Sequence, residues 1–360
     1  MHEQADLDCR DRSLAAPVDW RELEVFDCRG GGPRKASRAT GAGATVLAVA
    51  LALSAGTVAA AEADLPDAKP VPDVQVIPLP YQRASFQHAG RELTRYHFRP
   101  DLRRPFWFPV VGPEGRSLTR MGHPPAPHGE RHHCSLWISH KDVGGVSFWE
   151  DDARGRIVHQ RVEEYTDAPG AASMLSTNHW QTGEGKVLLR ERRRSTVRPL
   201  AHGDWLLVID VQLEAPPGGP VVLGKTPYGI IGLQVARQMG VSDGGGRILN
   251  SAGQLNEPAV RGQPARWVDY SGPVTSRATG GLTLMDHPSN PGHPNRYMVR
   301  NGGWMGVCPT MNDTLAIEPG KPLRLRYGLW VHAGVPKRED VDKQWDAFAR
   351  EELAPMTRAR

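Results

Sequence analysis

The stretch LRLRYGLWVHAG (Leu323–Gly334) alternates with a period of two. Leu323, Leu325, Tyr327, Leu329 and Val331 fall on one side of the chain, and Arg324, Arg326, Trp330 and His332 on the other. Only an extended strand with one face turned to a core satisfies that spacing. DWLLVIDVQLE repeats it, with Trp205, Leu207, Ile209, Val211 and Leu213 on a single side. ELTRYHF, RPFWFPVVG, CSLWIS, GRIVHQRVEEY, KVLLRERRRSTV, YGIIGLQVA, GRILNSAG, RWVDYSG, GLTLMDH and RYMVRNGG read as further strands. The 39 glycines and 31 prolines supply the turns between them. One segment, EDVDKQWDAFAREEL, carries a helical stripe of Val341, Trp345 and Phe348 suited to packing on a sheet. The expectation is an all-β chain: one large antiparallel two-sheet sandwich over residues 74–352 with a single C-terminal helix.

The N-terminal region reads differently. Arg34, Lys35 and Arg38 precede an Ala-rich apolar run that ends at Ala59, Ala60 and Ala61, followed by Glu62. A basic start, an apolar middle and small residues before an acidic segment make a secretory signal peptide over residues 34–63. Cleavage near Ala61 or Ala63 leaves no stable membrane span, and the product is exported to the periplasm or secreted. Residues 1–33 are charged, carry no targeting logic, and form a doubtful extension. Residues 64–73 are a Pro-rich linker. Processing removes Cys9 and Cys28 and leaves Cys134 and Cys308, which either bridge or serve as small buried apolar residues.

The net charge is +4, and no Lys/Arg stripe interleaves with aromatics, so nucleic acid is not an expected partner. The densest basic run, Arg190–Arg198, reads as the solvated face of a strand.

Two segments carry candidate chemistry. In RMGHPPAPHGERHHCSLWISH, five of the 14 histidines (His123, His128, His132, His133 and His140) crowd beside an apolar strand. Alternation puts His133, Ser135 and Trp137 on one face and Cys134, Leu136 and Ile138 on the other. Imidazoles suit general acid–base work, metal ligation, or a sugar site in which a Trp face receives CH groups. The spacing matches no H-E-x-x-H or cupin-type metal motif, so a divalent metal is an option argued only from ligand type and no cofactor is expected. In MDHPSNPGHPNRYMVR, Asp286 and His287 end a strand and are followed by Asn290, His293, Arg296 and Arg300. Asp286 or Glu257 can orient a histidine, while the arginines suit a carboxylate or hydroxyls; Asx-turn capping explains the same residues structurally. Lys225 and Tyr228 in GKTPYG, and His332 on the last strand, are further binding candidates.

The run from Pro105 to Asp151, together with GKTPYGIIGLQVA, LMDHPSNPGHPNRYMVRNGG and LRLRYGLWVHAG, resembles a bacterial family of exported proteins of unknown function labelled "methane oxygenase PmoA-like". The resemblance extends from Tyr81 to Gly334. The family pattern has arginine where this chain has Cys134, and Asn-Pro-Phe where it has Val307-Cys308-Pro309. The resemblance implies a galactose-mutarotase-like supersandwich and association with polysaccharide or sugar-modifying systems. The label itself conflicts with the sequence, because a membrane-bound oxygenase subunit needs several long apolar spans and this chain offers one.

The leading expectation is an exported carbohydrate-active enzyme: a hydrolase, lyase or epimerase acting on a small-molecule or oligosaccharide ligand. His128, His133, Asp286 and His287 are its catalytic candidates. His132, Trp137, His140, Lys225, Tyr228, Asn290, His293, Arg296, Arg300 and His332 are its substrate-binding candidates. The alternatives are a non-catalytic carbohydrate-binding sandwich and a metal-dependent oxygenase or hydrolase with His ligands. All three expect the His-rich and Asp286 segments to share one cleft.

Overall fold

A computed structural model describes residues 70–122 and 132–357. The N-terminal extension, the signal-peptide segment, residues 64–69 of the linker, His123 and His128 lie outside the described residues.

Two eight-stranded antiparallel sheets form the sandwich. The front sheet runs, in spatial order, β1 (Val74–Leu79), β2 (Arg83–His88), β3 (Arg91–His97), β4 (Phe106–Val110), β5 (Leu136–His140), β11 (Gly229–Gln234), β16 (Trp304–Cys308) and β15 (Arg296–Val299). The back sheet runs β12 (Arg247–Asn250), β13 (Trp267–Pro273), β14 (Thr279–Asp286), β18 (Leu323–Ala333), β9 (Trp205–Glu214), β8 (Val187–Pro199), β7 (Ala171–Gln181) and β6 (Arg156–Ala168). A ribbon of β10 (Val221–Leu223) and β17 (Leu315–Ile317) stands apart. The large antiparallel sandwich expected from the period-two patterning is therefore present.

The alternating residues do what their spacing requires. Leu207, Ile209 and Val211 of β9 and Leu325, Tyr327 and Leu329 of β18 are buried in the same core as Phe86, Tyr96, Trp107, Ile138, Leu233 and Val307 of the front sheet. Each such large apolar side chain contributes roughly 1.5–3 kcal/mol by leaving water. On the outer face of the back sheet lies a 12-residue helix, Arg338–Ala349. Its Val341, Trp345 and Phe348 pack on Trp267, Met285 and Trp330. Gly328 makes room for it, since a Cβ there would meet Met285 Cε at 2.8 Å and Phe348 Cε2 at 3.1 Å. Two short helical turns, Val241–Gly244 and Asn256–Val260, lie between strands. None of the described helices is long and apolar enough to cross a membrane.

The basic run of β8 is not a uniformly solvated face. Arg190 is exposed, but Glu191 and Arg193 are buried between the sheets. The Arg193 guanidinium pairs with Glu191, donates to Tyr96 Oη at 3.0 Å, and sits 5.3 Å from the Trp107 ring centroid. The strand period explains this, because every second residue of a run faces inward whatever its charge. The polar face of β18 is covered as well. Arg326 pairs with Asp210 at 2.8 Å and donates to the Glu352 carbonyl at 2.8 Å, so the chain after the helix lies over it. Cys134 and Cys308 do not bridge to each other. Cys308 donates to the Thr226 carbonyl at 2.7 Å, and burial pushes its pKa up to about 12.

Candidate functional site

Mid-strand glycines create the site. On the outer face of the front sheet, Gly232 of β11 sits beside Trp137 of β5 and Gly306 of β16. A Cβ at Gly232 would lie 2.8 Å from Trp137 Cζ2 and 3.1 Å from Trp149 Cη2. One at Gly306 would meet Trp304 Cζ2 at 3.2 Å. Glycine in a strand interior weakens the strand but admits a close neighbour, and here the neighbours are indole rings. Phe106, Trp137, Trp149, Met298 and Trp304 form a separate aromatic cluster there, away from the sandwich core.

Above that floor is a cavity of about 250 Å³ lined by His132, His133, Lys141, Trp149, Glu150, Tyr228, Arg300 and Trp304. Trp149 lies 5.8 Å from Tyr228 and 6.1 Å from Trp304 between ring centroids, and Tyr228 lies 6.0 Å from Trp304. His133 stacks on Trp137 at 5.6 Å and meets His132 edge-on at 4.4 Å. Ser135 interrupts the expected alternation by adopting a φ of 59°, yet His133 and Trp137 still stack.

The histidines precede β5 and Lys141 follows it, so the five-residue strand, roughly 17 Å long at the usual rise, separates them. The segment Ser147–Asp151 returns along the strand and binds both ends. Glu150 Oε1 accepts from Lys141 Nζ at 2.8 Å, and Asp151 Oδ2 lies 3.3 Å from His132 Nδ1. Arg104, only 1% exposed, fixes this arrangement from below. It donates to the carbonyls of His132 at 3.0 Å, Phe148 at 2.7 Å and Trp149 at 2.6 Å. Burial lowers its pKa, as expected for a cation whose hydrogen bonds go to backbone carbonyls.

The charges have defined states. Burial works against the Glu150 carboxylate, but hydrogen bonds from Lys141 and Ser147 outweigh it and hold its pKa below the usual range. The same bond to Glu150 raises the Lys141 pKa. The pair is therefore ionised at neutral pH, and Glu150 can accept a proton or stabilise positive charge but is not a ready acid. Arg300 Nη1 donates to Glu257 Oε1 at 3.0 Å on the opposite rim.

The Asp286 segment lies elsewhere. Asp286 is fully buried at the end of β14. It accepts from Asn290 Nδ2 at 2.7 Å, His293 Nδ1 at 2.9 Å and the Asn295 amide at 2.8 Å. Asn290 in turn bonds the backbone of Arg326 on β18 at 2.8 and 2.7 Å. His293 stacks on Trp345 at 5.8 Å, and His287 meets Phe348 edge-on at 5.1 Å. This loop carries the chain from the back sheet to the front sheet, and its polar groups staple that crossover to the helix. The expected shared cleft is absent among the described residues: none of Asp286, His287, Asn290 and His293 lines the aromatic cavity. Arg296 donates to the Gly262 carbonyl at 2.7 Å and lines a different cavity.

Three further candidates also fall outside the aromatic cavity. Lys225 is exposed and does not line it. His332 is fully buried and bonds Asp269 Oδ2 at 2.9 Å. His140 is fully buried. Its Nδ1 accepts from the Asp142 amide at 3.0 Å, so its Nε2–H donates to Thr310 Oγ1 at 2.8 Å. Burial lowers the His140 pKa to about 4. In the unfolded chain the imidazole titrates near 6.5, so the unfolded state binds the extra proton between those values. Stability is expected to be full above pH 6.5 and to fall by about 3 kcal/mol as pH drops to 4. Urea unfolding at a series of pH values checks this: H140Q should flatten the slope, and an unchanged slope would refute it.

The sequence reading overlooked Lys141, Trp149, Glu150, Trp304 and Arg104. The SFWED run and the glycines of YGIIGLQ and WMGVC were the available signals. Among the described residues no three His, Cys, Asp or Glu side chains group as a metal site would need. A cavity of about 370 Å³ opens on the outer face of the back sheet, lined in part by Arg161, His179, Arg190, Arg192, Gln212 and Glu214. It lacks an indole or phenol ring among its walls.

Fold and site together define a two-sheet antiparallel β-sandwich with an aromatic, histidine-rimmed pocket on one outer face. The chain belongs to the DUF6807 family, a family of unknown function whose model matches residues 83–346. No curated protein matches it by sequence. Among solved structures it is similar to "Putative kojibiose phosphorylase from human microbiome", with a TM-score of 0.33 and 10% identity over 79% of this chain and 38% of that one. It is also similar to the 4-alpha-glucanotransferase from Thermococcus litoralis, with a TM-score of 0.27 and 11% identity over 73% of this chain and 39% of that one. The chain spans about two fifths of the length of each.

Proposed function

We propose that this chain is a carbohydrate-active enzyme whose sugar site is the aromatic pocket, with acid–base chemistry shared between His132/His133 and the Lys141–Glu150 pair. The supporting observation is the mutual packing of Trp149, Tyr228 and Trp304 around a cavity that also touches two imidazoles and three charged groups. Aromatic faces receive the CH patches of a pyranose, while imidazole, ammonium and guanidinium groups bond its hydroxyls. At about 250 Å³ the space is just below the usual ligand-pocket range of roughly 300–1,000 Å³, which suits one sugar ring.

Charge and position divide the roles. Glu150, held ionised, acts as base or stabilises a developing positive charge. Proton transfer falls to the imidazoles of His132 and His133, and Asp151 at 3.3 Å orients the His132 ring. Imidazole and carboxylate groups lining one small cavity suit hydrolysis, elimination or epimerisation, which move protons at more than one position of a sugar ring. The leader read at residues 34–63 supports an activity outside the cytoplasm.

The test is calorimetry and product analysis with glucose, galactose, glucuronate, galacturonate and their disaccharides. Wild type is expected to bind at least one of them, and W304A to weaken that binding by about 10-fold or more. H133A should keep affinity within a few-fold while losing turnover. Binding without turnover in wild type would make the protein a non-catalytic sugar-binding sandwich. No binding across the panel would overturn the sugar assignment.

A further inference from the structure

A second cavity, of about 570 Å³, is lined in part by chain neighbours of residues that line the first. Its walls include Pro227, Met298 and Met311 on the apolar side and Glu257, Arg261 and Asn301 on the polar side. Three links make the two cavities neighbours. Pro227 precedes Tyr228, Asn301 follows Arg300, and Met298 packs in one cluster with Trp304. Arg300 of the first cavity and Asn301 of the second are both locked to Glu257. Glu257 Oε1 accepts from Arg300 at 3.0 Å, Glu257 Oε2 accepts from the Asn301 amide at 2.8 Å, and the Glu257 amide donates to Asn301 Oδ1 at 3.1 Å. These reciprocal bonds fix one carboxylate and one amide before any ligand arrives, which lowers the entropy lost on binding.

We infer that this second cavity is an adjoining subsite for the next residue of a saccharide chain, so that the ligand is at least a disaccharide crossing the Arg300–Glu257 rim. The inference rests on the sugar reading of the aromatic pocket. Met298, Met311 and Pro227 offer a flat apolar wall of the kind a pyranose ring packs on. Glu257 and Asn301 face hydroxyls from the opposite side, and Arg261 lies 3.5 Å from the Glu257 carboxylate. The second ring is held by packing and hydroxyl contacts only, since the imidazoles and the Lys141–Glu150 pair belong to the first cavity.

The experiment compares mono-, di- and trisaccharides of the sugar that binds best, by calorimetry on wild type and on M311D. Met311 touches the second cavity and not the first. The expected result is a gain of about 10-fold or more in affinity from mono- to disaccharide in wild type. In M311D that gain should be lost while monosaccharide affinity stays within about twofold. R261A, an exposed substitution that leaves folding intact, should reduce the gain in the same direction. Equal affinity for mono- and disaccharide in wild type would overturn the subsite and leave the sugar pocket standing. An undiminished gain in both variants would also overturn it. If no saccharide of any length binds, the sugar reading and the subsite fall together.

Discussion

Replacing Asp286 with alanine should lower the unfolding free energy by about 3–5 kcal/mol, the range for removing one member of a buried, hydrogen-bonded charged network. The carboxylate is fully buried and is the common acceptor for Asn290, His293 and the Asn295 amide. Without it His293 and the Asn295 amide lose their acceptor, Asn290 Nδ2 keeps only the Arg326 carbonyl, and the crossover between β14 and β15 loses its staple. Urea unfolding measures the loss. D286N, which keeps the shape but cannot accept at both oxygens, should fall between wild type and D286A. Both variants, once folded, should retain saccharide binding, because the carboxylate does not line the aromatic pocket. Unchanged stability combined with lost turnover would instead make Asp286 a catalytic residue.

Arg104→Met should produce a second large effect of a different kind. Its three bonds hold the carbonyls of His132, Phe148 and Trp149, so one guanidinium sets both the histidine end and the tryptophan wall of the pocket. Hydrogen bonds to charged groups contribute about 1.5–3 kcal/mol each, partly offset here by release of a buried cation. A net loss of about 3 kcal/mol is expected, accompanied by a fall in saccharide affinity of about 10-fold or more. R104K should restore part of the stability and little of the affinity, because one ammonium cannot span three carbonyls with the fixed fork of arginine. A variant of lowered stability and full affinity would show that Arg104 supports the fold without positioning the site.

The contrast between these residues shows what was legible in the sequence. Period-two alternation exposed β9 and β18 because one face of each carries the large apolar residues of the inter-sheet core, although the helix and following chain cover much of the other face too, and the Val341, Trp345 and Phe348 stripe exposed the C-terminal helix. β7 went unnamed, since Ala172 to Ser176 are all buried and the alternation disappears. The buried Arg193 was unreadable because its partners Tyr96 and Trp107 lie far back in the chain. His132, His133, Tyr228 and Arg300 were legible as candidates and do line one cavity. Trp149, Glu150 and Trp304 reach it only through the return of residues 147–151 and the pairing of β11 with β16, neither of which local spacing reveals. Asp286 misled for the opposite reason. An Asp–His pair among prolines looks the same whether it faces a ligand or ties one sheet to another.

The sugar is expected to sit in the pocket walled by Tyr228 and by the small accessible parts of Trp149 and Trp304, which are 2% and 4% exposed. Indole N–H resonances, followed by NMR during titration with the tightest-binding saccharide, test it directly. The account predicts that the Trp149 and Trp304 signals shift in step with saturation while those of Trp267, Trp330 and Trp345, packed against the helix on the back sheet, stay fixed. Shifts confined to the helix-side tryptophans, or saturable binding that moves neither Trp149 nor Trp304, would contradict it.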